Sequence, residues 1–332
     1  MSKPQINVSC PSTGRMWLIA GCAFFCVLQS ALSDGGQSLA IGFAALISAI
    51  LAEALLTYKR YGLRKIMDGS AAATAMLLTI LLPNLMSPVY AALGVIFAIV
   101  VVKYSFGGLG SNWLNPALGG WLFIRISWSS AFTNAFEQTT HSITEMEIGA
   151  ASALDGSVTA FLNNIIFSPA GSQMPSGYID LLFSHAPGLI VDRGLFALLI
   201  GTIVITAFGI NRGWVPLVFI SVYGFLIRFA GNLHEGFWSG DMLYGLFSGG
   251  TIAAAFILAA EPASSAKLKT GVLFSVILAA FFSWLFRYRA LEYSGVIFAI
   301  ALVNCLTLLI RFFEDRILLS RSSRNIIPES RL

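Results

Sequence analysis

Charge is what this sequence has least of. Of its 332 residues only 11% are Asp, Glu, Lys or Arg, where a soluble domain carries about a quarter. With 57% hydrophobic residues and a mean hydropathy of +0.80, a water-soluble globular domain is excluded and a polytopic membrane protein is implied. Histidine is scarce too, at three residues, and the four cysteines (Cys10, Cys22, Cys26, Cys305) are scattered. No set of them has zinc-ligand or iron–sulfur spacing, so no metal centre is expected within the chain. Cys22 and Cys26 share a helical face, which on an apolar helix means packing. His141 and His185 have no Ser/Asp partner at recognisable spacing, which argues against a hydrolytic triad. The turn Gly107-Gly108-Leu109-Gly110 is not a GxGxxG following a strand, so nicotinamide chemistry would have to come from elsewhere. Nothing points to nucleic acid.

One further absence orients the chain. Between Arg125 and Arg193 there is no Lys or Arg at all, while Glu137, Glu145, Glu147, Asp155, Asp180 and Asp192 all fall there. Lys59, Arg60, Arg64, Lys65, Lys103, Arg212, Lys267, Lys269 and the tail from Arg311 to Arg331 gather on the other side. Basic loops stay in the cytoplasm, so both termini are expected inside the inner membrane and the acidic interval outside. Arg287 and Arg289 break this pattern.

What the sequence does have is a glycine- and asparagine-rich stretch set between apolar runs. Ser105–Trp121 reads SFGGLGSNWLNPALGGW, with five glycines, two asparagines and one proline. Asn115-Pro116 is a helix start, because asparagine caps orphan N–H groups and proline at the first helical position loses no hydrogen bond. Non-helical backbone at membrane depth persists only where protein or a wet cavity surrounds it. A surface loop is the plain alternative; a half-helix aimed into a functional cavity is the expectation.

A span takes about 20 apolar residues, and on that criterion about ten segments emerge. The first five are Met16–Ser33, Gln37–Thr57, Ser70–Pro83, Val89–Lys103 and Asn115–Trp128. The second five are Gly194–Ile210, Trp214–Ala230, Met242–Ala259, Gly271–Arg287 and Tyr293–Phe313. The first run ends in Ala31-Leu32-Ser33 and imitates a signal peptide, but it is long enough to span and the pairing of the halves needs it. Asp68-Gly69-Ser70 opens a small-residue helix in one half, as Gly240-Asp241 and then Ser248-Gly249-Gly250-Thr251 do in the other. An odd number of spans per half makes the second half enter from the opposite face, the arrangement of inverted repeats. The expected organisation is a first repeat over 1–131, an external loop over 132–193, a second repeat over 194–315 and a basic tail over 316–332.

Single polar groups inside these runs carry the functional expectations. Glu53, one turn from the basic end of its helix, is a candidate for an ion pathway; the alternative is an ion pair or snorkelling toward Lys59 and Arg60. Asp68 and Asp241 read as helix caps, a role compatible with facing an ion path. Glu261-Pro262 ends the eighth segment. Arg125 and Arg228 are expected to pair inside the protein. The outer interval is longer than bundle loops usually are and contains GAASALDGSVTAFL (Gly149–Leu162).

MDGSAAATAMLLTILLP (Met67–Pro83), the FGGLGxNxxNPA pattern (Phe106–Ala117), FSGGTIAAAFILAAEP (Phe247–Pro262) and AEALLTYKR (Ala52–Arg60) together resemble the NqrB/RnfD family, most closely its RnfD branch. The order and spacing match from about Met16 to Phe313. The resemblance implies an all-α, urea-channel-like fold of two inverted five-helix repeats with broken helices. It also implies membership of a multisubunit redox-driven ion pump (the Rnf complex) and an FMN joined by its phosphate to an outer-loop threonine. Here the matching position is Ser152, in Gly149-Ala150-Ala151-Ser152-Ala153-Leu154, with Gly149 where the family has Ser or Thr. Serine keeps the required hydroxyl; Thr159 is the fallback acceptor. A second, non-covalent flavin is implied for the bundle core, where Gly107, Gly108, Gly110, Asn115, Gly249, Gly250 and Thr251 are the candidate cofactor-binding residues.

The expected function is therefore a membrane subunit that relays electrons between partner subunits and couples this to movement of Na⁺ or H⁺, with Glu53, Asp68 and Asp241 along the ion pathway. Two rivals stand beside it: a small-solute channel on the same scaffold, and a scaffold subunit without cofactor.

Overall fold

The computed structural model describes residues 12–61, 67–105, 112–135, 153–167, 178–182, 188–231, 241–290 and 292–325. Among them there is no strand, only an isolated bridge between Pro83 and Leu189. The molecule is helical, as expected of a chain whose backbone polar groups must be satisfied without water.

The first half contains α1 (Ser12–Ser33), α2 (Gln37–Tyr61), α3 (Ser70–Ile80), α4 (Pro88–Phe97) and α5 (Pro116–Ser127). Gly35 and Gly36 turn the chain between α1 and α2 with φ of 65° and 94°. There the Asp34 carboxylate accepts from the N–H groups of Gly36 and Ser38, both at 3.1 Å. Pro88 starts α4, which widens into a π-helical stretch over Ala98–Tyr104.

Past the long interval, α6 (Ala153–Leu162), α7 (Tyr178–Leu182) and α8 (Ile190–Arg193) lead into the second half. That half contains α9 (Leu195–Ala207), α10 (Trp214–Ala230), α11 (Met242–Phe247), α12 (Thr251–Ala253), α13 (Lys269–Tyr288) and α14 (Gly295–Asn325). The π-helical Ala254–Leu258 continues α12.

Among the described residues, four helices are long and apolar enough to cross a membrane: Thr13–Ser33, Gln37–Tyr58, Lys269–Tyr288 and Gly295–Leu318. Shorter apolar helices occupy Ser70–Ile80, Pro88–Tyr104, Leu195–Ala207 and Trp214–Ala230. The expected Trp214–Ala230 is reproduced to the residue. Met242–Ala259 is not one helix but two, broken at Gly249 and Gly250, whose φ values are 66° and 72°.

Small residues let these helices meet closely, as van der Waals packing in a membrane requires. The buried interior is rich in alanine, with Ala45, Ala49, Ala75, Ala98, Ala117, Ala254 and Ala280 all almost inaccessible. Where α4 meets α5, a Cβ on Gly120 would come within 2.5 Å of the Gly94 carbonyl oxygen. Large apolar side chains point outward instead: Leu55, Ile126, Ile203 and Leu217 are all more than half exposed, as expected of a lipid-facing surface.

Candidate functional site

Three helix starts carry the buried polar chemistry. The first is that of α3. Gly69 occupies the cap position in the left-handed region at φ 77°, and Asp68 acts one residue earlier than a cap. Its Oδ1 accepts from the Ser70 N–H at 2.8 Å and from the Ser70 hydroxyl at 2.5 Å. That hydroxyl in turn accepts from Lys103 Nζ at 2.6 Å. Lys103 also donates to Glu53 Oε1 at 2.6 Å, and the neighbouring Tyr104 hydroxyl donates to the same oxygen at 2.6 Å.

Glu53 and Lys103 are both essentially inaccessible. Removing each ion from water costs several kcal/mol, so such a pair holds only with good geometry and further hydrogen bonds; Tyr104 and Ser70 supply these. Glu53 Oε2, however, is buried without a partner. Lys103 is thus a core residue, not one of the loop cations with which the orientation argument counted it. π-helical turns such as the one that presents it occur frequently at functional sites.

The start of α5 is the second. Asn115 Oδ1 accepts from the N–H groups of Ala117 (2.8 Å) and Leu118 (3.4 Å), and Pro116 follows at the first helical position. The expected capping is what the structure contains. The other end of the side chain reaches the second half, where Asn115 Nδ2 donates to Glu261 Oε2 at 2.7 Å. Ser264 Oγ donates to the same oxygen at 3.3 Å.

The third is the break between α11 and α12. Asp241 caps α11, accepting from the Tyr244 N–H at 3.0 Å. At the break, the Gly250 N–H donates to Asp192 Oδ1 at 2.8 Å. Asp192 Oδ2 accepts from the Leu189 N–H and the Tyr293 hydroxyl. Arg287 donates to the carbonyls of Gly245 (3.1 Å) and Ser248 (2.7 Å) and to the Ser248 hydroxyl (2.5 Å), and lies 3.4 Å from Thr251 Oγ1. The rings of Tyr244, Tyr288 and Tyr293 lie within about 6 Å of its guanidinium. As only 8% of Arg287 is exposed, it is a core residue and not a misplaced loop charge; Arg289, which is exposed, still breaks the charge asymmetry. Gly250 is accordingly engaged by Asp192 and Thr251 by Arg287, while Gly249 packs close against Arg287 and Tyr293.

The first two starts open on one cavity of about 420 Å³, within the range of small-molecule sites. Arg15, Lys103, Ser70, Thr74, Asn112, Asn115, Asn211 and Glu261 contribute its polar lining. Asn112 is 5% exposed, and its Oδ1 has no hydrogen-bond partner; Asn211 Oδ1 has none either. The cavity therefore offers two cations, a carboxylate and two unfilled acceptors against apolar walls.

Of the remaining expected residues, Gly107, Gly108, Gly110 and Ser152 lie outside the described residues. Thr159 sits in the interior of α6, 6% exposed, its hydroxyl buried without a partner. Arg125 pairs with Glu292 at 3.0 Å, as expected of an internal partner. Sequence reasoning missed Lys103, Tyr104, Asp192 and the role of Arg287. A lysine at the end of an apolar run reads as a loop anchor, and only its π-helical placement contradicts that.

Residues 1–318 match the model of the NQR2, RnfD, RnfE family. The chain is similar to the D subunit of a proton-translocating ferredoxin:NAD(+) oxidoreductase complex of Clostridium ljungdahlii, at 25% identity over 95% of this chain and 93% of the relative. The D subunit of a Na(+)-translocating ferredoxin:NAD(+) oxidoreductase complex of Acetobacterium woodii is 28% identical, covering 85% of this chain and 83% of the relative. The D subunit of an ion-translocating oxidoreductase complex of Pectobacterium atrosepticum is 26% identical, covering 90% and 91%. Carrying the AEALLTYKR, GGLGxNxxNPA and GGTIAAAFILAAEP segments in family order along nearly its whole length, the chain belongs to the NQR2, RnfD, RnfE family.

Proposed function

We propose that the chain is the RnfD-type membrane subunit of an ion-translocating oxidoreductase complex, working with the other subunits to couple electron transfer to Na⁺ or H⁺ movement. The observation that carries this reading is the likeness along almost the whole chain to the D subunits of such complexes.

The proposed architecture is two inverted five-helix repeats. Its support is a correspondence between the halves. Ser70 follows left-handed Gly69 and accepts from buried Lys103 of the fourth helix; Thr251 follows left-handed Gly250 and lies beside buried Arg287 of the ninth expected span. Between the broken helices lies Leu189–Asp192, entirely buried. Ile190 N–H donates to the Leu82 carbonyl at 2.9 Å and Asp192 holds Gly250. This packing favours a coupling bundle over the rival solute channel.

For the cofactors, FMN is proposed on Ser152 of the outer loop. Thr159 is the weaker acceptor, because an attaching enzyme cannot reach a hydroxyl buried in a helix. A second, non-covalent flavin is proposed for the cavity between α3 and α5, where Asn112, with its unfilled Oδ1, and Lys103 would hold it. Flavins supply one- and two-electron carriage between partner subunits. This chain's residues bind and orient the ring, and Glu53, with Asp68 behind Ser70, holds the countercharge that an ion pathway needs. Asp241, exposed at the start of α11, is proposed for the mouth of that path. The proposed placement is the inner membrane with both termini cytoplasmic.

The test is covalent attachment. Chain co-expressed with a flavin-attaching enzyme is expected to stay fluorescent after denaturing electrophoresis, with an FMN-sized increment on the Ser152 peptide. Ser152→Ala is expected to remove both signals. Fluorescence that survives Ser152→Ala but not Thr159→Val moves the site to Thr159, and a chain that never fluoresces removes the covalent flavin.

A further inference from the structure

The Glu53 carboxylate is held on one side only. Oε1 takes both the Lys103 ammonium and the Tyr104 hydroxyl, while Oε2 is fully buried with no donor at all. A carboxylate has about four lone-pair sites, so this group has spare acceptor capacity in a place water does not reach. Lys103, for its part, faces two ways. Its Nζ binds Ser70 Oγ as well as Glu53, and the residue lines the cavity in which Asn112 Oδ1 waits without a donor. An ammonium carries three N–H donors, two of which are used. It is also a compact, rotatable point charge on a flexible stem.

We propose that Glu53 is a monovalent-cation site whose occupant in this structure is the Lys103 ammonium, and that H⁺ or Na⁺ enters by exchanging with it. The incoming cation takes Glu53 Oε2 and Oε1. Lys103 keeps its proton and its bond to Ser70, leaves the carboxylate and turns its freed N–H groups into the cavity toward Asn112 Oδ1. The charged and titratable groups facing Glu53 are Lys103 and Tyr104, with Asp68 one hydrogen bond further on through Ser70. No bond to carbon forms or breaks. One positive charge moves from Glu53 into the cavity for each cation bound, so cation binding and negative charge held in the cavity favour one another. The inference deepens the proposed ion-pathway role of Glu53 and rests on it, but its test needs no electron transfer.

Full-length chain in detergent is labelled at lysines by brief reductive methylation, in NaCl or in choline chloride at one ionic strength, and Lys103 modification is read by peptide mass relative to exposed Lys267. Na⁺ is expected to raise the Lys103-to-Lys267 ratio several-fold and saturably, and Glu53→Gln to leave it high with or without Na⁺. A ratio that instead rises as pH falls, with no Na⁺ effect, makes the proton the exchanging cation. A ratio indifferent to both overturns the proposal. As a second measurement, Lys103→Met bares the carboxylate: its thermal midpoint should respond to NaCl at a concentration at least tenfold below that needed by the unaltered chain, and Glu53→Gln/Lys103→Met should lose the response. A folded Lys103→Met chain whose midpoint shows neither a Na⁺ response nor a pH response that Glu53→Gln removes also overturns it. If Glu53→Gln slows ion-coupled turnover of the assembled complex while Lys103 stays indifferent to cations, the exchange fails and the ion-pathway reading survives.

Discussion

Asn115 and Glu261, 146 residues apart, are joined by a 2.7 Å hydrogen bond from Nδ2 to Oε2. Through it the side chain that caps α5 of the first half also holds the carboxylate at the end of the broken helix of the second. One residue thus sets a helix start and ties the halves together on the wall of the polar cavity.

Asn115→Ala removes both functions. Loss of the cap costs about 1 kcal/mol, and a half-buried carboxylate left with Ser264 alone adds about 1 kcal/mol. Asn115→Asp keeps a capping oxygen but sets a second carboxylate against Glu261, so it should be less stable than its conservative shape suggests. Thermal unfolding in detergent is expected to rank the unaltered chain above both, with Glu261→Gln partly restoring Asn115→Asp.

The positive-φ glycines at the two breaks should differ in their tolerance of alanine. A left-handed conformation costs a non-glycine residue about 1–2 kcal/mol, which applies to Gly69, Gly249 and Gly250 alike. Sterics separate them. An added Cβ at Gly249 would meet Arg287 Nη1 and the Tyr293 carbonyl oxygen, both at 2.7 Å, and one at Gly69 would meet the Trp17 ring at 2.8 Å. At Gly250 it would find nothing nearer than 3.4 Å. Melting measurements should therefore order the damage as Gly249→Ala, then Gly69→Ala, then Gly250→Ala.

Arg287→Met withdraws one donor from each of the Gly245 and Ser248 carbonyls, which keep Thr251 as a shared partner. With at most one buried carbonyl left short of a donor, the loss is about 1–3 kcal/mol. Arg287→Lys preserves the charge but replaces a planar fork with a point donor, and should recover part of it. Hydrogen exchange at the α11–α12 break is the direct readout, with protection falling first in Arg287→Met.

Orientation is tested by labelling. In single-cysteine variants, an impermeant thiol reagent applied from outside should modify a probe at Ser172 and spare one at Arg64. The reverse pattern would invert the topology and remove the outer-loop flavin with it.

Local chemistry alone determined a good deal here. The Asn115-Pro116 helix start, the Asp241 cap and the span Trp214–Ala230 each follow from a few neighbouring residues, because capping and hydrophobic length act over one or a few turns. The family was equally legible, in the order and spacing of its glycine–asparagine–proline segments. Partnership was not. Glu53 next to Lys59 and Arg60 suggests a local ion pair; the fold gives it Lys103, 50 residues on, because α2 packs against the end of α4. Arg287 looked like a stray loop charge until α13 placed it over the break, where free carbonyls need a donor. Thr159 read as an accessible hydroxyl until its helix buried it. In each case the sequence supplied the group and its chemistry, while burial and the choice of partner came from which helices meet, a property of the whole bundle that no short segment contains.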